Sequence, residues 1–128
     1  MKRVFLTILI SMCLMSSAYA AESYTASLKS AGGFQVLSLA WTTAADGSFV
    51  ARTTPEINGF IVAFVTNPGS AAPTADYDPV LTNTDGVDVS GGALTDRHTS
   101  TSQLAMPLVN SEAVRLPGLG ALTFDITN

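Results

Sequence analysis

The chain has 128 residues, a length that suits one small domain and leaves no room for a second domain with its own cofactor fold. Its 6 Lys and Arg against 10 Asp and Glu give a net charge of -4, so it lacks the basic face that nucleic-acid binding requires. A single Cys excludes an internal disulfide framework, and 1 Cys with 1 His argues against a Cys/His zinc site.

Residues 1–20 have the pattern of a cleavable signal peptide. Lys2 and Arg3 are followed by the apolar run VFLTILISMCL, then by small residues ending in Ala18-Tyr19-Ala20. The run is shorter than the roughly 20 residues that a membrane-spanning helix needs, so an uncleaved anchor is the lesser alternative. A lipid anchor on Cys13 is disfavoured, because Met12 is bulky where such signals carry a small residue. Cleavage before Ala21 removes Lys2, Arg3 and Cys13. It leaves 4 basic against 10 acidic residues and no thiol. The exported domain, residues 21–128, must then rely on its core, on self-association or on docking, without a disulfide staple.

From Ala21 onward alternation and turn residues dominate. Residues 23–28 alternate loosely, 29–33 form a turn, and 34–41 (FQVLSLAW) read as a half-buried strand with Trp41 in the core. Asp46-Gly47 predicts a tight turn, followed by a strand over 48–53 with Phe49 and Ala51 on one face. Residues 60–66 (FIVAFVT) are the most apolar run and read as a central buried strand. Asn67, Pro68 and Gly69 end it. Residues 77–82 fit a short strand that Pro79 confines to an edge or an end. Residues 83–92 are rich in turn formers, and 93–101 could hold one helical turn. Residues 103–109 and 113–116 fit no single pattern. Residues 119–126 predict a last strand with Leu122, Phe124 and Ile126 on one face. An all-β fold follows, a single antiparallel β-sandwich of about seven strands, Ig-like or jelly-roll-like.

Three kinds of chemistry come into question: metal binding, glycan binding and hydrolysis. Asp76, Asp78, Asp85, Asp88 and Asp96 crowd the loops, and carboxylates so placed can bind Ca²⁺ or help hold a glycan. Their spacing does not fit an EF-hand, and Asp is also an ordinary turn former. Exposed aromatic platforms for sugars are scarce, with only Tyr24, Trp41 and Tyr77 available beyond the leader and outside Phe. His98 beside a serine could in principle support hydrolysis, but Ser90 lies in D-V-S-G-G, which is not a nucleophile elbow. The expectation is therefore no enzyme and no cofactor.

Residues 46–107 carry N-G-F-I ahead of a strand, then T-N-P-G-S-A-A-P-T-A-D-Y-D, then L-T-N-T-D-G-V-D-V-S-G-G-A-L-T-D-R. This wording resembles a group of small, largely uncharacterised tailed-phage and prophage structural proteins. The resemblance implies a β-rich virion component or accessory protein. It departs from the group in its export leader, and in stopping where the relatives continue with a further strand. A virion location with the leader retained is thus the alternative to periplasmic or secreted protein.

Physical reasons for the motif can be given independently. Pro68, Gly69 and Pro73 fix the path of a loop. Tyr77 can bury its ring while its hydroxyl bonds main chain. Asp85-Gly86 suits a tight turn, and Gly91 and Gly92 allow backbone that a side chain would block. Asp85 or Asp88 is expected to form a buried pair with Arg97, with Asp96 seeking a partner elsewhere. The motif reads as a rigid loop scaffold. An unpaired strand edge after residue 126 would invite a protein partner or self-association. No nucleic-acid partner and no stable membrane insertion after cleavage are expected.

Overall fold

The computed structural model describes residues 21–70, 73 and 77–127. The proposed signal peptide, Cys13 and Asp76 lie outside the described residues. Among them the chain is all β, with no helix and eleven short strands. Every pairing is antiparallel.

A long hairpin comes first, with β1 (Ser23–Ala31) against β2 (Phe34–Thr42). Gly32 and Gly33 join them with φ of 57° and 85°, the left-handed pair that a two-residue turn requires. Beyond Leu28 and Leu37 the hairpin is exposed on both faces. At its other end Tyr24, Leu39 and Trp41 pack on the core.

The remaining strands are β3 (Arg52–Thr53), β4 (Ile57–Ile61), β5 (Phe64–Thr66), β6 (Asp78–Thr82), β7 (Gln103–Ala105), β8 (Leu108–Val109), β9 (Glu112–Ala113), β10 (Leu116–Gly120) and β11 (Thr123–Thr127). They form the sheets β3-β11-β6, β10-β4, β5-β7 and β8-β9.

The core is built around β11. The expected alternation holds there, with Leu122, Phe124 and Ile126 at 2%, 2% and 9% exposure. Phe124 lies 5.0 Å from the Trp41 ring, 5.5 Å from Phe49 and 5.9 Å from Tyr24. Full burial of one such ring stabilises the fold by about 2–3 kcal/mol, and each aromatic pair adds about 1. Trp41 thus serves the core, as its place on an alternating strand indicated.

The last strand is not an open edge. Thr123 and Phe124 pair with β3 on one side, and all of β11 pairs with β6 on the other. Buried Thr54 extends the first contact: its N–H donates to Leu122 O (2.8 Å), and its Oγ1 accepts from Leu122 N (3.0 Å). Leu122 therefore turns its polar groups toward β3, and so does every second residue of β11. Pro79, opposite Ile126, falls in a pair without ladder bonds, so its missing N–H faces the outer edge of β6.

Four local expectations are corrected. The strand over 48–53 shrinks to Arg52–Thr53, and the preceding turn closes between Ala44 and Ser48, with Ala51 exposed. The single strand over 60–66 is instead β4 and β5, broken at Val62 and Ala63, and Phe60 and Val65 are 68% and 72% exposed. Residues 93–101 form turns. The strand over 119–126 is interrupted after Gly120, whose φ of 80° redirects the chain.

Candidate functional site

The loop motif folds as a scaffold held by its own short side chains. Asn67 Oδ1 accepts from Gly69 N, and Asn83 Oδ1 accepts from Asp85 N and Val87 N. Asp88 accepts three bonds, from Ser90 N, Ser90 Oγ and Gly92 N, at 2.8–2.9 Å. Asp78 accepts from the main-chain N–H of Asp96, which has a φ of 51°. Such Asx bonds are why Asn and Asp populate turns, and they occupy the oxygens a cation would need. Among the described residues no three His, Cys, Asp or Glu side chains gather to hold a metal ion. Asp78, Asp85 and Asp88 are not brought together, and Gly86 simply supplies a left-handed turn position at φ 78°.

The expected pair between Asp85 or Asp88 and Arg97 is absent. Arg97 curls back on its own loop, and Nε and a terminal nitrogen donate to Thr95 O at 3.1 and 3.0 Å. Asp88 is already satisfied by main chain two and four residues on, which leaves it no need of a guanidinium. Arg97 instead bridges Tyr77 through the backbone, its N–H donating to Tyr77 O at 2.9 Å. Among the described residues the one salt bridge joins Arg52 and Glu22. Glu22 also accepts from Val50 N. These bonds, that with Arg52 first, hold its carboxyl below the usual range.

Tyr77 is buried at 4% exposure, with Pro68 and Pro73 half-buried near it. Among the described residues its hydroxyl finds no main-chain partner of the kind expected. It adjoins the buried Thr66 hydroxyl without an aligned hydrogen bond, and neither atom has a partner among the described residues. Burial pushes the Tyr77 hydroxyl pKa up.

His98 is a turn-former. Its Nδ1 accepts from Ser100 N and Thr101 N at 3.0 and 3.1 Å, so the ring proton sits on Nε2. The Ser100 hydroxyl reaches the same nitrogen at 3.3 Å. An acceptor already filled by two amides is poorly placed to take a serine proton.

A different feature stands out. A groove of about 810 Å³ runs between β2 and the β4–β5 edge, floored by Leu81, Leu122 and Phe124. Not one of its lining residues is charged. Among the described residues both walls are open strand edges, since there β2 pairs only with β1, β4 only with β10, and β5 only with β7. The two-residue turn makes Ala31–Phe34 a bonded pair, so Gln35, Leu37, Leu39 and Trp41 turn their polar groups outward. Across the groove Asn58 N also points outward, and Gln35 Oε1 accepts from it at 3.1 Å. One glutamine side chain thus takes a bond that a neighbouring strand would otherwise make.

Phe34, Val36, Phe60 and Val65, between 57% and 72% exposed, line the same groove. Leu104, 71% exposed, lies opposite Val65 across the β5–β7 ladder. Sequence reading missed this face. Its signal was Phe34 and Val36 sharing one side of β2 with Ser38, opposite Leu37, Leu39 and Trp41.

No protein-family model matches the chain, and no curated protein or solved structure matches it either.

Proposed function

We propose that the chain is an exported, non-enzymatic structural or interaction module. In this reading residues 1–20 are a cleavable signal peptide, and the antiparallel sheets of residues 21–128 make a single sandwich. Its kinship would be with the tailed-phage structural proteins that residues 46–107 resemble.

The observation that carries the reading is the uncharged apolar face flanked by the open edges of β2 and β4–β5. Unpaired edges recruit a further strand, and large exposed apolar patches mark interaction surfaces. The loop motif supports the same reading from the other side. Its Asp78, Asp88 and His98 side chains are engaged with main chain, which suits shaping a surface rather than running a reaction.

Peptide mapping of the native protein across a density gradient tests this. The expected result is a chain that begins at Ala21 and travels, outside the cytoplasm, with an assembly larger than the 13.3 kDa chain. Retention of residues 1–20 in virion-sized particles would replace export with a particle component. A free monomer in every fraction would overturn the interaction reading.

A further inference from the structure

We propose that the occupant of the apolar face is a second copy of this chain, joined to it along the β2 edge about a two-fold axis. The proposal rests on the interaction reading above and names its partner.

Area is the first reason. Phe34, Val36, Phe60, Val62, Val65 and Leu104 are each at least 39% exposed. Together they present on the order of 600 Å² of apolar surface, the upper end of what monomers leave open. With the two strand edges, the face approaches the roughly 800 Å² per partner of a stable interface.

Charge is the second reason. In a two-fold contact the same patch appears on both partners, so charges near the axis meet their like. The chain is acidic, with a net charge of -4, yet no lining residue of the groove is charged. Lys29, exposed and opposite Val36 on β1, lies at the rim of the face, where a charge stays solvated. An uncharged groove on an acidic chain lets two copies meet without like charges near the axis. The exposed polar groups that remain, Gln35, Ser38 and Asn58, can bond their own counterparts.

The open edge of β2 supplies direction. Gln35, Leu37, Leu39 and Trp41 turn donors and acceptors outward, and an antiparallel copy of the same strand matches them. The β1–β2 hairpin of each copy would then join in one four-stranded sheet. Pairing of this kind would displace the Gln35 to Asn58 bond.

The test is sedimentation equilibrium of the protein expressed as its full chain, between about 1 and 100 μM. A dimer is expected. Phe60→Asp and Val65→Asp each place like charges across the axis and should raise the dissociation constant at least tenfold. Both positions are exposed, so the thermal midpoint of each monomer should hold. Val87→Asp, at a loop residue 59% exposed and outside the groove, should leave the dimer intact. A monomeric wild type at 100 μM overturns the proposal, and so does a dimer indifferent to both groove variants. An apolar fluorescent dye separates the two readings in the monomeric case. Dye binding that is lost in Phe60→Asp keeps the docking face and assigns it to a foreign protein; absence of dye binding removes the face as well.

Discussion

Gly91 gives the sharpest test of the loop scaffold. A Cβ built there would lie 1.8 Å from Leu108 O and 2.8 Å from Leu108 C, both main-chain atoms. Neither side can retreat. Ser90 is 1% exposed, Pro107 is fully buried, and Leu108 N donates to Ser90 O at 2.9 Å. Gly92 is the internal control: its φ of 81° is as left-handed as the 63° of Gly91, but nothing lies within 4 Å of its Cβ position. Gly92→Ala should therefore cost only the conformational penalty, about 1 kcal/mol. Gly91→Ala should cost that penalty, about 1 kcal/mol for the broken Ser90–Leu108 bond, and about 1–2 for the forced displacement. The sum is about 3–4 kcal/mol, a fall in Tm of roughly 15–20 °C against roughly 5 °C for the control. Thermal and urea unfolding followed by circular dichroism measure both. Equal losses in the two variants would mean that the 88–92 turn is not pressed against residue 108, and the scaffold described here would be wrong.

Thr54→Val keeps the shape but leaves the Leu122 N–H buried without an acceptor, and should cost about 1–3 kcal/mol in urea unfolding. Asn110 and Ser111, at φ 50° and 67°, form the two-residue turn between β8 and β9, so Ser111→Gly should stabilise by about 0.5–1 kcal/mol and raise Tm by a few degrees. The carboxyl of Glu22 is held below its ordinary value by Arg52 and Val50 N. The folded state therefore binds that proton more weakly than the unfolded one. Its contribution is present above the ordinary glutamate range and is lost as pH falls below roughly 4, so Glu22→Gln should flatten the acid limb of a Tm–pH profile there.

The parts of the fold visible in the sequence are those governed by local chemistry. Leu122, Phe124 and Ile126 alternate with polar residues and are all buried. Asn67, Asn83 and Asp88 act as turn formers, because a short side chain reaches an amide two residues away whatever the rest of the chain does. Pairing was not visible. Nothing local says that β11 has β3 on one flank and β6 on the other, across dozens of intervening residues. The run over 60–66 misled for a related reason. Its apolar composition indicates contact with something apolar, but not whether the contact lies within the chain; here Phe60 and Val65 face outward. Arg97 misled because Asp88, one of its two expected partners, is satisfied by the Ser90 and Gly92 amides, while its own guanidinium turns to the Thr95 carbonyl two residues away.

The placement of β11 bears on how the protein is made. It follows both of its sheet partners in chain order and carries Phe124, on which Tyr24, Trp41 and Phe49 converge. Closing that centre needs contacts of long sequence separation, which form late and slowly. During synthesis the nascent chain can make the β1–β2 hairpin early, but the aromatic centre waits for the strand that emerges after all the others. On the export reading proposed above, that delay would keep the chain in the unfolded form that a narrow translocation channel requires.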